Sequence, residues 1–182
     1  MSVVVVDTNV PIAANGGDEV APDCVLACQT ALVEVLGDRR RLAIDDDWRI
    51  IGEYKRKLRA SGEPGLGDRF LKWVLTNWAN PERCDLVPIA ARNEDAGEFE
   101  EFPEGEGLET FDASDRKFVA VANAHAEKPP ILQGLDSKWW GWKAALTSAG
   151  ITVVFLCPAE VAATYERKFG VPPAAPTKAR RG

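Results

Sequence analysis

Apolar positions along this chain alternate between short unbroken runs and longer stretches with a helical period. Val3–Val6 is a run of four β-branched residues, the pattern of a strand buried on both faces. From Pro22 to Leu36 the apolar positions are Cys24, Val25, Cys28, Ala31, Leu32 and Val35, which predicts a helix with proline in its first turn. Arg41–Ile44 reads as a second strand, and Asp45-Asp46-Asp47 as the cap of a helix from Trp48 to Ala60. Residues 61–67 form a Gly/Pro break. A helix over Asp68–Asn77 comes next, with Phe70, Leu71, Trp73, Val74 and Trp78 as its stripe. Cys84–Ile89 reads as an edge strand because of Pro88. The acidic, glycine-rich stretch 92–110 reads as a long loop or insertion. A helix over Asp112–Ala126, a short strand at Ile131-Leu132, a helix over Lys138–Ala149, a strand over Ile151–Leu156 and a helix over Pro158–Phe169 complete the series. Residues 171–182 are Pro/Ala-rich and basic, the composition of a disordered tail. Strands separated by helices predict an α/β fold: a central parallel sheet of four to five strands, with helices on both faces.

This architecture gives certain acids a meaning. In open α/β sheets, ligands bind beyond the carboxyl ends of the strands. Asp7 stands there after the first strand, and Asp136 after Ile131-Leu132. Asp112 and Asp115 open a helix as Asp-x-x-Asp, which also fits a plain N-terminal cap. Glu53 lies within a helix, where it could simply pair with Lys57 at i, i+4. Several carboxylates converging from separate elements would suit a hard divalent cation, Mg²⁺ or Mn²⁺. Such an ion activates water and neutralises a phosphodiester, and two ions can clamp both attacking and leaving oxygens.

Composition narrows the alternatives. The chain has 182 residues, 46% hydrophobic and 27% charged, which suits one globular domain. No apolar run is long enough to span a membrane, and no signal peptide is visible, so the expected location is cytoplasmic. The net charge of −6 does not advertise nucleic-acid binding, although a loaded cation site inverts its own local potential. Cys24, Cys28, Cys84 and Cys157 are expected as buried free thiols in a reducing compartment, with no second Cys pair or His cluster to complete a zinc site. His125 is the single histidine, which disfavours a His-based triad and fits a contact at the end of its helix. There is no dinucleotide fingerprint, no phosphate loop and no nucleophile elbow.

Three segments carry a resemblance. VVVVDTNV, FDASDRKFVAVANA, and ILQGLDSKWW followed by ITVVFL resemble, in order and spacing over residues 2–157, the PIN-domain nucleases. The resemblance implies a single PIN-like domain over 1–170 with an insertion at about 61–110. It also implies a metal-dependent endoribonuclease cleaving phosphodiesters in single-stranded RNA with one or two Mg²⁺ or Mn²⁺ ions. It assigns Asp7, Glu53, Asp115 and Asp136 as catalytic and metal-binding acids, with Asp112 as a further candidate ligand, and Asn9 and Ser137 as residues that orient them. Many relatives of this kind carry another acid where Lys138 stands here. The resemblance to the VapC toxins adds a toxin–antitoxin role, an antitoxin protein as partner and a homodimer. Arg116, Lys117, Lys138 and Lys55 flank these acids as candidate nucleic-acid contacts. Trp139, Trp140 and Trp142 cannot all face one way on a helix. At least one belongs to the core, while others could stack on bases. A non-catalytic PIN-like module binding RNA or protein, and a phosphohydrolase acting on small phosphoesters, are the competing readings.

Overall fold

The four-valine run forms the middle of a sheet. In the computed structural model, which describes residues 1–17, 19–60 and 65–172, strand β1 (Ser2–Val6) lies between β2 (Arg40–Asp45) and β6 (Ile131–Gln133). β3 (Cys84–Val87) and β7 (Val153–Phe155) are the edges, and every neighbouring pair is parallel, in the order β3-β2-β1-β6-β7. Val3 to Val6 are almost wholly buried because β1 is covered on both faces, which explains why the run does not alternate with polar residues.

The helices are placed by the connections between strands. α1 (Asn9–Ala14) and α2 (Pro22–Leu36) link β1 to β2, and α3 (Arg49–Lys57) and α4 (Leu66–Asn77) link β2 to β3. A hairpin of β4 (Ala91–Asn93) and β5 (Glu98–Phe99) precedes a 3₁₀ turn at Ala113–Asp115 and α5 (Arg116–Ala124). α6 (Lys138–Ser148) joins β6 to β7, and α7 (Pro158–Phe169) follows β7. From β1 the connections step toward β3; from β6 the connection steps toward β7. With right-handed crossovers this sends α1–α4 to one face and α5 and α6 to the other. Accordingly α1, α2 and α4 pack together, while α5 lies over β1, β2 and β6. The reversal between β1 and β6 makes their carboxyl ends the switch point of the sheet, where ligands of such folds bind.

Some expectations are corrected. The stretch 92–110 is not loop throughout: β5 pairs with β4 and buries Phe99, and Phe102, Leu108 and Phe111 anchor the segment between β5 and the 3₁₀ turn. α1 escapes the apolar pattern, because six residues containing Pro11 carry too little of it. β7 lies inside the strand expected over Ile151–Leu156 but is shorter, three residues at the edge of the sheet. Cys24 and Cys157 are joined in a disulfide, with Cys28 and Cys84 as buried free thiols. Four free thiols are therefore not what the chain holds. Part of the expected break, 61–64, and most of the expected tail, 173–182, lie outside the described residues. Among the described residues, no helix is long and apolar enough to cross a membrane.

Candidate functional site

Buried polarity in this molecule gathers at one edge of the sheet. Asp7, Thr8, Asp45, Asp115, Lys117, Gln133 and Ser137 are the buried polar and charged residues among those described. Asp7 and Thr8 leave β1, Asp45 ends β2, Gln133 ends β6, Ser137 opens α6, and Asp115 and Lys117 open α5. All stand at or just beyond the carboxyl ends of the central strands, at the switch point.

Asp7 is 1% exposed. The backbone N–H and side-chain Nδ2 of Asn9 both donate to its Oδ1, each at 2.9 Å. Burial pushes the Asp7 carboxyl up to about 8; the charge of Asp115 adds to this, Asn9 opposes it, and Glu53 adds again. Asp115 is pushed up to about 6, again chiefly by burial. A hydrogen bond from Trp139 Nε1 to its Oδ2 at 3.0 Å works against the rise, and the charges of Asp136, Asp112 and Glu53 work with it. Three elements thus bring Asp7, Asp115 and Glu53 within electrostatic reach of one another, and Asp136 within reach of Asp115.

Glu53 does not pair with Lys57. Its Oε1 accepts from Thr8 Oγ1 at 2.6 Å, and its Oε2 lies 2.5 Å from Lys117 Nζ. Lys117 also donates to the carbonyl of Ser114 and is buried, so it neutralises a site acid instead of flanking the site as a surface cation. α3 is aimed at this edge by Asp45, whose two carboxylate oxygens accept the N–H groups of Arg49 and Ile50, each at 2.8 Å. The next turn of α3 is tied down by Tyr54, whose hydroxyl donates to the carbonyl of Val6 at 2.5 Å.

Asp112 and Asp136 lie nearer the surface and act as caps. Asp112 Oδ1 accepts from the N–H of Ser114 at 3.1 Å, and its Oδ2 from Lys138 Nζ at 3.0 Å. Burial alone would raise Asp112, but Lys138 and Ser114 hold it below the usual carboxylate range. Asp136 Oδ1 accepts from the N–H of Lys138 at 2.9 Å. Ser137 is buried at the start of α6. Lys138 and Lys55 stay exposed, whereas Arg116 reaches back to the carbonyls of Phe111 and Glu109 and lies over the ring of Phe102.

Sequence reasoning missed Thr8 and Gln133 as parts of this edge, and it gave Trp139 a place in the core or in base stacking but not its hydrogen bond to Asp115. Gly134 shows how tightly the β6 exit is packed there: a Cβ on it would lie 2.9 Å from the carbonyl oxygen of Asn9, the residue that holds Asp7. Beside the acids, a cavity of about 630 Å³ is bordered by Asp112, Lys138, Trp142, Tyr165 and Phe169.

The donor set is oxygen-rich and suits a hard cation held by one or two carboxylates with retained waters. It is not drawn into a closed cage. Among the described residues, the one trio of Cys, His, Asp or Glu side chains whose ligand atoms lie within 4.8 Å of one another is Cys24, Cys28 and Cys157, which belongs to the disulfide region. No family model matches the chain, and no curated protein or solved structure matches it either.

Proposed function

We propose that this chain is a divalent-cation-dependent endoribonuclease of PIN-like design, with Asp7 and Asp115 as its central acids and Glu53 and Asp136 beside them. One observation carries the reading: two carboxylates from different elements, one after β1 and one opening α5, are buried together at the switch point of a parallel sheet, where burial raises the proton affinity of both and the charge of Asp115 adds to the rise at Asp7. Paying such a cost at this position is the mark of a functional site. A bound Mg²⁺ or Mn²⁺ supplies positive charge there, which favours ionised acids, activates water and neutralises a phosphodiester. Asn9 fixes the rotamer of Asp7, and Trp139 fixes that of Asp115. Lys117 holds Glu53 in place. Exposed Lys138 and Lys55 supply cations for an RNA backbone. A cytoplasmic location and a toxin–antitoxin role belong to the same reading.

The test is cleavage of single-stranded RNA across a Mn²⁺ titration. Asp7→Asn and Asp115→Asn are each expected to lower cleavage at least about a hundredfold with unchanged circular dichroism, the scale of losing a group that acts in the transition state. Metal-dependent cleavage at the wild-type rate in Asp7→Asn would overturn the assignment. The lack of a carboxylate trio within 4.8 Å among the described residues and the pairing of Glu53 with Lys117 favour one second reading, a non-catalytic RNA- or protein-binding module. Wild-type protein that binds RNA without cutting it at any Mn²⁺ level would decide for that reading.

A further inference from the structure

Gln133 is wholly buried, and neither its Oε1 nor its Nε2 has a hydrogen-bond partner among the described residues. A buried amide left in this state costs stability, and native proteins hold few of them. Its place is informative. Val5 stands beside Ile131 and Val6 beside Leu132, and the Asp7 N–H donates to the carbonyl of Leu132. The next pair in this register is Asp7 and Gln133. The period of two puts both side chains on the same face, and neighbouring strands are about 4.8 Å apart. On its other side Gln133 pairs with Phe155 of β7, an apolar side chain. Leucine or methionine would fill the same volume between Phe155 and the core without an unpaired group. The amide therefore has no packing rationale, and it stands next to the most perturbed acid of the site.

We infer that Gln133 is a positioning residue whose amide holds a water of the hydration shell of a divalent cation beside Asp7. Mg²⁺ and Mn²⁺ keep several waters when carboxylates hold them, and those waters need acceptors and donors in the wall of the site. A neutral amide offers both and adds no further charge to a crowded group of acids. The inference rests on the nuclease reading for its cation, and the experiment separates the two.

Gln133→Met and Gln133→Leu are both made, so that the result does not hang on one side chain's fit. In metal-free protein each is expected to raise the melting temperature. In the same proteins the Mn²⁺ dissociation constant, read from the electron paramagnetic resonance of free Mn²⁺ without RNA present, is expected to rise about tenfold or more, the usual effect of losing a group behind the direct ligands. Phe155→Leu, which changes the other neighbour of Gln133, is expected to lower the melting temperature and leave Mn²⁺ affinity as it is. Wild-type Mn²⁺ affinity in both Gln133 variants would overturn the inference and leave the nuclease reading standing. Wild-type protein that binds no Mn²⁺ would overturn both.

Discussion

Asp7 carries a protonation cost that can be measured. Its ordinary value is 3.8 and burial lifts it to about 8, so between these limits the folded chain holds a proton that the unfolded chain has released. Stability then falls as pH rises through this window and levels off above about 8. Metal-free wild type is expected to melt at a lower temperature at pH 8 than at pH 5, and Asp7→Asn to flatten that difference and melt higher at pH 8. A scan of melting temperature against pH for the two proteins checks it; parallel curves would contradict the buried-acid account. Asp7 is legible in the sequence because a strand end is a local feature. Thr8 and Trp139 are not, because their partners lie 45 and 24 residues away and only the folded sheet brings them together. Lys117 misleads for the same reason. Its place in sequence beside Asp115 suggests a cation flanking the site, while its partner Glu53 sits on a different helix.

That pairing joins α3 to α5 at the edge of the sheet. Both side chains are largely removed from water, at 14% and 9% exposure, so removing one partner leaves the other stranded. Lys117→Met is expected to destabilise the fold by about 3 kcal/mol at neutral pH, as breaking a buried ion pair does. Glu53→Gln combined with Lys117→Met is expected to recover most of that loss, with urea unfolding as the measurement. Secondary elements are legible where they carry a clean period: α2 runs over Pro22–Leu36, as its apolar spacing indicates. The β4–β5 hairpin is hidden because its strands are too short to carry an apolar period, and its pairing is made by backbone groups and one buried ring, Phe99. Caps are legible, since Asp45 and Asp112 use short-range geometry. Which caps double as site acids depends on where strands end in space.

For the whole molecule, the alternation of strands and helices is enough to indicate a parallel α/β sheet, but not the strand order that creates the switch point between β1 and β6. Nor can spacing reveal the disulfide, whose cysteines are 133 residues apart in sequence. A cross-link over so long a stretch restricts the unfolded chain strongly. Cys157→Ala is expected to cost about 2–4 kcal/mol, and a reductant is expected to lower the stability of wild type by a similar amount with no effect on the variant. Equal urea midpoints for wild type with and without reductant would contradict it.

The same bond divides the protein in an unusual way. Residues 24–157 become one covalent ring that contains every strand of the large sheet except β1. β1 is nevertheless the central strand, with both of its neighbours, β2 and β6, belonging to the ring. The first 23 residues are thus a free arm laid into the middle of a closed loop, like a keystone that is not mortared in. Asp7, Thr8 and Asn9 travel with the arm, while Glu53, Asp115, Gln133 and Asp136 travel with the ring. The candidate site exists only while the two are docked, so whatever holds β1 in its slot also holds the acids together.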